Sequence, residues 1–361
     1  MPAGAFVSAL LLALVLVPAA ARVGWATGYL DHPEARKLHT SATPLLGGAA
    51  VFLAALIAWA AVQGALHRPA DPRAIYLFAG ALVALLLGLW DDRFGMRPAV
   101  KLLGQAAAGG TLLGSGQVPD LGLPLGLDVV FVVFVLVALV GLMNAVNFLD
   151  NMNGMVGGLA ALALAGFAWA SAARGAAGIA SAQLALAGAC VGFLPYNFPR
   201  ARIFLGDAGS LFLGYSLGAS AMLAFSASPR GWGWLGPPLI LAYPAFDLLF
   251  VVVNRLRDGR KVYVGGKDHT NHRLASVLRC PKKTVLLIWL SGAALCASGL
   301  VVLKLNHPLP ALLLWGLWAT LLVPAGVWLS SIREVPPVRS RGPGAPSPAT
   351  RSSAREAPPA R

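Results

Sequence analysis

The chain has 361 residues, of which 57% are hydrophobic and only 12% are charged, and its mean hydropathy is +0.71. Soluble domains carry about a quarter charged residues, so these numbers exclude an ordinary soluble enzyme. The three cysteines exclude a disulfide-stapled secreted scaffold. The net charge of +14 would suit a nucleic-acid partner, but the basic residues lie in short gaps between apolar runs, and we expect no nucleic acid.

The apolar runs are long enough to cross a bilayer as helices, which takes about 20 residues each. Runs such as Ala79–Trp90 and Val129–Met143 have no polar face. They predict an all-α polytopic membrane protein with about 10–11 transmembrane helices. The predicted spans are residues 4–26, 45–65, 74–90, 99–115, 127–148, 154–172, 178–195, 210–228, 235–255, 283–303 and 309–331.

The charges between these spans predict the orientation. Most of the 28 Lys and Arg residues fall in alternate gaps and after the last span, and such gaps remain in the cytoplasm. We therefore expect the N-terminus outside and the C-terminus in the cytoplasm. Residues 1–331 form the predicted membrane domain, whereas residues 332–361 are too rich in Pro, Arg and Ser to bury a core and predict a disordered basic cytoplasmic tail. Most of the acidic residues lie on the same side, which indicates a cytoplasmic-face active site.

Five polar segments occupy the predicted cytoplasmic gaps. The first begins at Asp31 and ends at Gly47 and Gly48, whose backbone can approach a phosphate closely at a helix start. The second contains the adjacent acids Asp91 and Asp92. Adjacent carboxylates repel each other unless a cation neutralises them, so this pair favours a functional role over a charged helix end.

The third segment places Asn144, Asn147, Asp150 and Asn153 where a span ends and the next helix begins. Carboxylate and amide oxygens suit Mg²⁺, which binds one or two carboxylates together with substrate phosphates. Helix capping is the structural alternative. Capping accounts for one such residue better than for four.

The fourth segment has Arg202 shortly before Asp207, which lies between glycines at a helix start. This arrangement suits a metal that carries phosphates, with arginine adding anion binding. In the fifth segment His269 and His272 lie three residues apart, on one helical face, and Arg273 follows. A solvated basic loop is the alternative for the fifth segment.

In this order the five segments resemble the motifs of the polyprenyl-phosphate N-acetylhexosamine-1-phosphate transferases, which include the MraY- and WecA-type bacterial enzymes. The acidic pair resembles the DD motif of that family, and the later segments resemble its NxxNxxDGxDG, GDxGS and histidine motifs. The opening segment resembles the branch that uses simple UDP-sugars, through Asp31, Arg36, Lys37 and His39.

The chain departs from the family pattern at three positions. Asn151 and Asn153 stand where DGxDG has its first glycine and second aspartate, and Asn271 replaces the middle histidine of HxHH. The departures bear on which nucleotide or sugar is used. They also keep open the alternative of a catalytically altered family member.

The resemblance implies transfer of N-acetylhexosamine-1-phosphate, with GlcNAc-1-phosphate the first choice, from a UDP-N-acetylhexosamine to undecaprenyl phosphate in a bacterial inner membrane. UMP is released in this first membrane step of a cell-envelope glycan pathway. Mg²⁺, or Mn²⁺ in its place, is the implied cofactor, held by Asp207 with Asp91 as a second ligand. A homodimer is compatible with the resemblance.

The resemblance also implies roles for individual residues. Asp91 or Asp92 orients or deprotonates the lipid phosphate, and His269 and His272 neutralise phosphate or leaving-group charge. The implied substrate-binding residues are Gly47, Gly48, Lys101, Asn144, Asn147, Asp150, Asn153, Arg202 and Arg273.

Two other classes of membrane protein fit the sequence less well. A transporter with a one-sided anion site would place polar residues at mid-membrane and show internal repeats, whereas here the polar segments gather on one side. A CDP-alcohol phosphotransferase would carry a D-x-x-D-G-x-x-A-R stretch, which the sequence lacks. Asp247, inside the ninth span, is expected to face the bundle interior and a partner, either as a structural pair or as a site-lining group.

Overall fold

A computed structural model describes residues 2–32, 41–67, 69–116, 118, 125–227, 231–262, 266 and 268–332. Arg36, Lys37 and His39 of the first predicted segment lie outside the described residues, as does all of the predicted tail beyond Ile332. Within the described residues the chain is almost entirely helical.

The long helices follow the apolar runs. They are α1 (Pro2–Thr27), α2 (Gly47–Ala65), α3 (Pro72–Phe94), α4 (Pro98–Gly114), α5 (Leu125–Leu149), α6 (Met155–Ala173), α7 (Ala177–Asn197), α8 (Gly206–Ser226), α9 (Gly236–Ile240), α10 (Ala242–Arg257), α11 (Thr270–Leu278), α12 (Pro281–Leu305) and α13 (Pro308–Ser331). A 3₁₀ turn, Trp232–Leu235, precedes α9. Two short strands, β1 (Leu30–Asp31) and β2 (Thr43–Pro44), pair antiparallel between α1 and α2.

Each predicted span coincides with helix in the structure. Among the described residues, nine helices are long and apolar enough to cross a membrane, and the pair Trp232–Ile240 and Ala242–Arg257, bent by 67°, would give a tenth. The 17-residue helix α4 accounts for the remaining predicted span. The chain is therefore an all-α, multi-pass membrane protein. The structure adds the bend, which the continuous apolar composition did not predict.

Small residues let the helices pack closely. Ala5, Ala9 and Ala13 of α1 are fully buried, and α1 packs on α7, where a Cβ added at Gly188 would collide with the backbone of Phe6. Such small-residue contacts replace the hydrophobic driving force that is missing inside a bilayer. By contrast, only 6% of the apolar window of α13 is buried, so α13 lies at the edge of the bundle.

Candidate active site

A single ammonium group joins three helices at one end of the bundle. Lys101, in the first turns of α4, places Nζ 2.8 Å from Asp91 Oδ2 at the end of α3 and 2.6 Å from Asp207 Oδ2 at the start of α8. Lys101 Nζ also donates to Asn147 Oδ1 of α5, at 3.2 Å. Polar segments that are far apart in the sequence therefore converge on one point.

Asp207 is held from a second direction as well. Asn147 Nδ2 donates to Asp207 Oδ1 and to Ser210 Oγ, each at 2.8 Å. The carboxylate is thus fixed between the amide of Asn147 and the ammonium of Lys101. The acidic cluster consists of Asp91, Lys101, Asn147 and Asp207.

Asp92 has a different environment from its neighbour Asp91. Its two carboxylate oxygens accept the backbone N–H groups of Asp207 and Ala208, at 2.8 and 3.0 Å. The first N–H groups of a helix have no partner within the helix, and here a carboxylate from α3 satisfies two of them in α8. Asp92 therefore joins the end of α3 to the start of α8 and positions Asp207.

Asn144 lies one turn before Asn147 on α5 and pairs with Gln105. Gln105 Oε1 accepts from Asn144 Nδ2 at 2.8 Å, and Gln105 Nε2 donates to Asn144 Oδ1 at 3.3 Å. Gln105 is fully buried. The amide of Asn144 therefore joins α5 to α4, and its predicted substrate-binding role stays a prediction.

The turn after α5 carries Asp150, whose pKa is raised to about 7 by burial and then by the negative charge of Asp207. Asn153 donates from Nδ2 to the carbonyl of Pro199, at 3.2 Å. The turn is thus tied to the segment that leads into α8. Asp150 is thus close enough to feel the charge of Asp207, and Asn153 holds the turn in place.

Two of the three positions that depart from the family pattern are in contact. Asn271 Nδ2 donates to Asn151 Oδ1 at 2.5 Å, and Asn271 Oδ1 accepts the backbone N–H of His272. Asn271 is fully buried. The third and fifth segments therefore meet through the residues that replace a glycine and a histidine.

Gly47 and Gly48 lie at the start of α2, as predicted, but their amides are engaged. They donate to the carbonyls of Phe204 and Leu205, at 3.0 and 2.9 Å. A Cβ at Gly48 would collide with the backbone of Gly209. These glycines therefore allow α2 and α8 to approach each other, and their N–H groups are not presented to a phosphate.

In the fifth segment the two predicted cations differ. His269 is buried, and its Nδ1 lies 2.7 Å from Asp247 Oδ2. Arg273 instead donates from one NH group to the carbonyls of Leu329, Ser330 and Ile332, at 3.0–3.1 Å. These contacts give the buried guanidinium a structural role at the end of α13, and the predicted substrate-binding role of Arg273 stays a prediction.

The remaining predicted cations flank these contacts. His272 is half-buried, with its ring centroid 6.4 Å from that of His269. Arg202 is exposed in the segment before α8.

The acidic cluster fits a divalent cation. The carboxylates of Asp91 and Asp207 converge on one positive group, with the amide oxygen of Asn147 beside it. Within the described part of the chain no three His, Cys, Asp or Glu side chains gather as a metal site. Mg²⁺ commonly takes one or two carboxylates and completes its shell with water and substrate phosphates, which matches this donor set.

Sequence reasoning missed several residues that shape the site. Gln105 lies one turn after Lys101 in an apolar helix, and its isolated polarity was the available signal. Asn197 accepts the N–H of Gly154 at 2.5 Å and donates to the carbonyl of Ile203 at 2.9 Å. Tyr29 donates to the carbonyl of Leu89. Neither of the last two belongs to a recognisable motif, so only the fold reveals them.

Comparison with known proteins identifies the family to which the chain is similar. The model of glycosyl transferase family 4 matches residues 74–225. A probable undecaprenyl-phosphate N-acetylglucosaminyl 1-phosphate transferase of Bacillus subtilis is 30% identical over 304 residues, covering 82% of this chain and 84% of its own.

A decaprenyl-phosphate N-acetylglucosaminephosphotransferase of Mycolicibacterium smegmatis is 34% identical, over 77% of this chain and 79% of its own. An undecaprenyl-phosphate alpha-N-acetylglucosaminyl 1-phosphate transferase of Thermotoga maritima is 27% identical, over 73% of this chain and 78% of its own. Identity of this level over most of both chains shows that the chain belongs to the polyprenyl-phosphate N-acetylhexosamine-1-phosphate transferase family.

Proposed function

We propose that this protein transfers N-acetylhexosamine-1-phosphate, with GlcNAc-1-phosphate as the first candidate, from a UDP-sugar to a polyprenyl phosphate such as undecaprenyl phosphate. A phosphate oxygen of the lipid attacks the β-phosphorus of the UDP-sugar. The bond from that phosphorus to the bridging oxygen breaks, and UMP leaves. The observation that carries the proposal is the convergence of Asp91, Lys101, Asn147 and Asp207 in a member of this family.

The main obstacle to this reaction is the approach of two anions. A phosphate monoester has a second pKa of about 6, so the lipid phosphate is largely ionised at neutral pH. It therefore needs little deprotonation by a base before it attacks. Lys101 supplies a fixed positive charge between two carboxylates. Mg²⁺ held by Asp91 and Asp207 would supply further neutralisation of the diphosphate.

The roles of the acidic pair follow from their contacts. Asp91 belongs to the acidic cluster through its contact with Lys101 and is the candidate for contact with metal or lipid phosphate. Asp92 is engaged with two N–H groups of α8 and acts through the position of Asp207. His269 and His272 are the candidates for neutralising phosphate or leaving-group charge.

The location belongs to the same proposal. The donor is a soluble anion and the acceptor is a membrane lipid, so the reaction needs a site at a membrane face. The basic gaps favour the cytoplasmic face of a bacterial inner membrane, with the N-terminus outside and the C-terminus inside. The polar contacts of the acidic cluster gather at helix ends, which gives a transporter no support.

The test is UMP release by purified protein in detergent, with undecaprenyl phosphate, Mg²⁺ and a panel of UDP-sugars. We expect release with one N-acetylhexosamine donor, dependent on lipid and stopped by EDTA. Asp207→Asn should lower kcat at least about 100-fold because it removes a metal ligand, while the exposed Asp258→Asn should keep wild-type rates. No release with any UDP-sugar would contradict the proposal and favour a catalytically altered member.

A further inference from the structure

Asp247 is a buried acid that the proposed reaction does not use. It lies on α10 and is 1% exposed. Its Oδ2 is 2.7 Å from His269 Nδ1, while its Oδ1 accepts from the backbone N–H of Thr270 at 2.8 Å and from Thr270 Oγ1 at 2.5 Å. Both carboxylate oxygens are therefore engaged at the start of α11.

These contacts fix the protons of the network. An ionised carboxylate only accepts hydrogen bonds, so the hydrogen of the His269 ring must be on Nδ1. The Thr270 hydroxyl donates its hydrogen bond to Asp247. The Tyr243 hydroxyl, 3.1 Å from Thr270 Oγ1, must therefore be the donor in the contact between Tyr243 and Thr270. Nε2 is then the nitrogen of His269 left to take up a proton and, once protonated, to donate to a phosphate.

A second contact holds the same segment to α10. Arg255 donates to both oxygens of Asp268, each at 2.7 Å, and Asp268 is fully buried. Two consecutive residues, Asp268 and His269, are thus each paired with α10. Asp247 holds the backbone through the N–H of Thr270, and its other oxygen adds a contact with the imidazole ring itself.

The ring that Asp247 orients lies beside the proposed site. The centroid of His269 is 6.4 Å from that of Phe148, in an edge contact. Phe148 directly follows Asn147, which donates to Asp207. His269 is therefore close to the part of α5 that shapes the acidic cluster.

We propose that Asp247 is the positioning residue of His269: it fixes the ring orientation and the Nδ1–H tautomer, so that Nε2 is the nitrogen that takes up a proton and, once protonated, donates to the phosphates of the reaction. This inference deepens the proposed function and rests on it. A carboxylate that orients a histidine through its other ring nitrogen is a recurrent device, and removing it lowers activity roughly 10- to 100-fold where it has been tested at metal sites.

The informative variant is Asp247→Asn. The amide oxygen is needed by the two donors of Thr270, so its NH₂ group must donate to Nδ1 and drive His269 into the Nε2–H tautomer. Tyr243→Phe is the matched control, because it removes a hydroxyl from the same network without touching His269. His269→Gln and the double variant Asp247→Asn/His269→Gln complete the set.

Nitrogen-15 NMR of histidine-labelled protein reads the tautomer without turnover. The His269 signal is identified by its loss in His269→Gln. We expect the Nδ1–H form in the wild type and in Tyr243→Phe, and the Nε2–H form in Asp247→Asn. An unchanged tautomer in Asp247→Asn would overturn the inference, even if the proposed reaction itself failed in the UMP assay.

Steady-state kinetics give the second readout. We expect Asp247→Asn to lower kcat roughly 10- to 100-fold, with the double variant no slower than His269→Gln alone, because both changes remove one function. Tyr243→Phe should stay within about threefold of the wild type, and Asp247→Glu should recover part of the rate. Multiplying losses in the double variant would show that Asp247 acts independently of His269 and would contradict the proposal.

Discussion

Lys101 and Asp150 show how single residues set the charge of the site. Lys101 is paired with Asp91 and Asp207 at once. Asp150 feels the negative charge of Asp207, and burial together with that charge raises the pKa of Asp150 to about 7. Two acids thus share a cation, while a third favours its proton. The carboxyl groups of the site therefore have different charge states near neutral pH.

The raised pKa of Asp150 predicts a pH-dependent effect of Asp150→Asn on stability. In the unfolded chain the carboxyl group of Asp150 loses its proton at about pH 4, but in the folded protein it keeps the proton up to about pH 7. The folded state therefore loses stability as the pH rises through that window. We expect Asp150→Asn to be more favourable at pH 8 than at pH 5 by about 2–3 kcal/mol, measured by thermal unfolding in EDTA.

Asp71→Asn is the control for this prediction. Burial alone would raise the pKa of Asp71, but the hydrogen bonds and charge of Arg73 outweigh it and hold the pKa below its ordinary value. Asp71 is ionised at both pH values, so its replacement should cost the same stability at pH 5 and pH 8. Equal effects of Asp150→Asn at the two pH values would show that Asp150 titrates normally.

The contact between Asn151 and Asn271 predicts that the two positions are coupled. Asn271 is fully buried against Asn151, so a histidine at position 271 has no space while Asn151 is present. We expect Asn271→His alone to cost about 1–3 kcal/mol of stability through overpacking and to lower UMP release. Adding Asn151→Gly opens space and should recover much of both losses.

A double-mutant cycle measures this coupling. Unfolding and turnover are compared for the wild type, Asn151→Gly, Asn271→His and the double variant. An interaction energy of about 1 kcal/mol or more is expected for residues in contact. Additive effects would mean that the two positions vary independently.

At the scale of the helices, the start of α8 is built by its neighbours. Asp92 of α3 accepts its first N–H groups, and the glycines of α2 donate to the carbonyls that precede it. Helix α8 can therefore present Asp207 in its first turn without a cap from its own preceding residue. The position of Asp207 depends on the close packing of α2, α3 and α8.

Gly48→Ala tests this packing. The added methyl group would collide with the backbone of Gly209, which cannot rotate away. We expect a loss of about 1–3 kcal/mol of stability together with lower kcat, because α8 moves relative to Asp91. Thermal unfolding and the UMP assay measure the two effects.

Gly64→Ala is the matched control on the same helix. An added Cβ there meets nothing within 4 Å, and alanine favours a helix over glycine by up to about 1 kcal/mol. Gly64→Ala should therefore leave stability and turnover unchanged or slightly increased. Equal losses for both glycines would indicate that α2 is sensitive to any substitution.

At the scale of the whole molecule, the polar chemistry lies at one end of an apolar bundle. The ends of α3 and α5 meet the starts of α2, α4, α8 and α11 there, and the bent pair α9–α10 brings Asp247 under α11. The proposed reaction requires that a membrane lipid reach this end of the bundle from the bilayer and that a soluble donor reach it from water.

The sequence by itself determined the membrane class, the positions of the spans and the grouping of the polar segments. These depend on local properties: the length of an apolar run decides whether a helix can cross a bilayer, and short polar motifs contain their own chemistry. The resemblance implied Asp207 and Asp91 as metal ligands and Lys101 as a substrate-binding residue, and the structure places Lys101 between these two carboxylates. Mg²⁺ binding and the catalytic roles stay predictions.

Only the tertiary structure decided which polar groups are already engaged. Asp92 caps another helix, Arg273 satisfies the carbonyls of α13, and Gly48 contacts a helix backbone. The pairing of Asp247 with His269 likewise joins residues on different helices. Each of these contacts depends on how closely separate helices approach, and that distance is set by packing across the whole bundle rather than by any local pattern of residues.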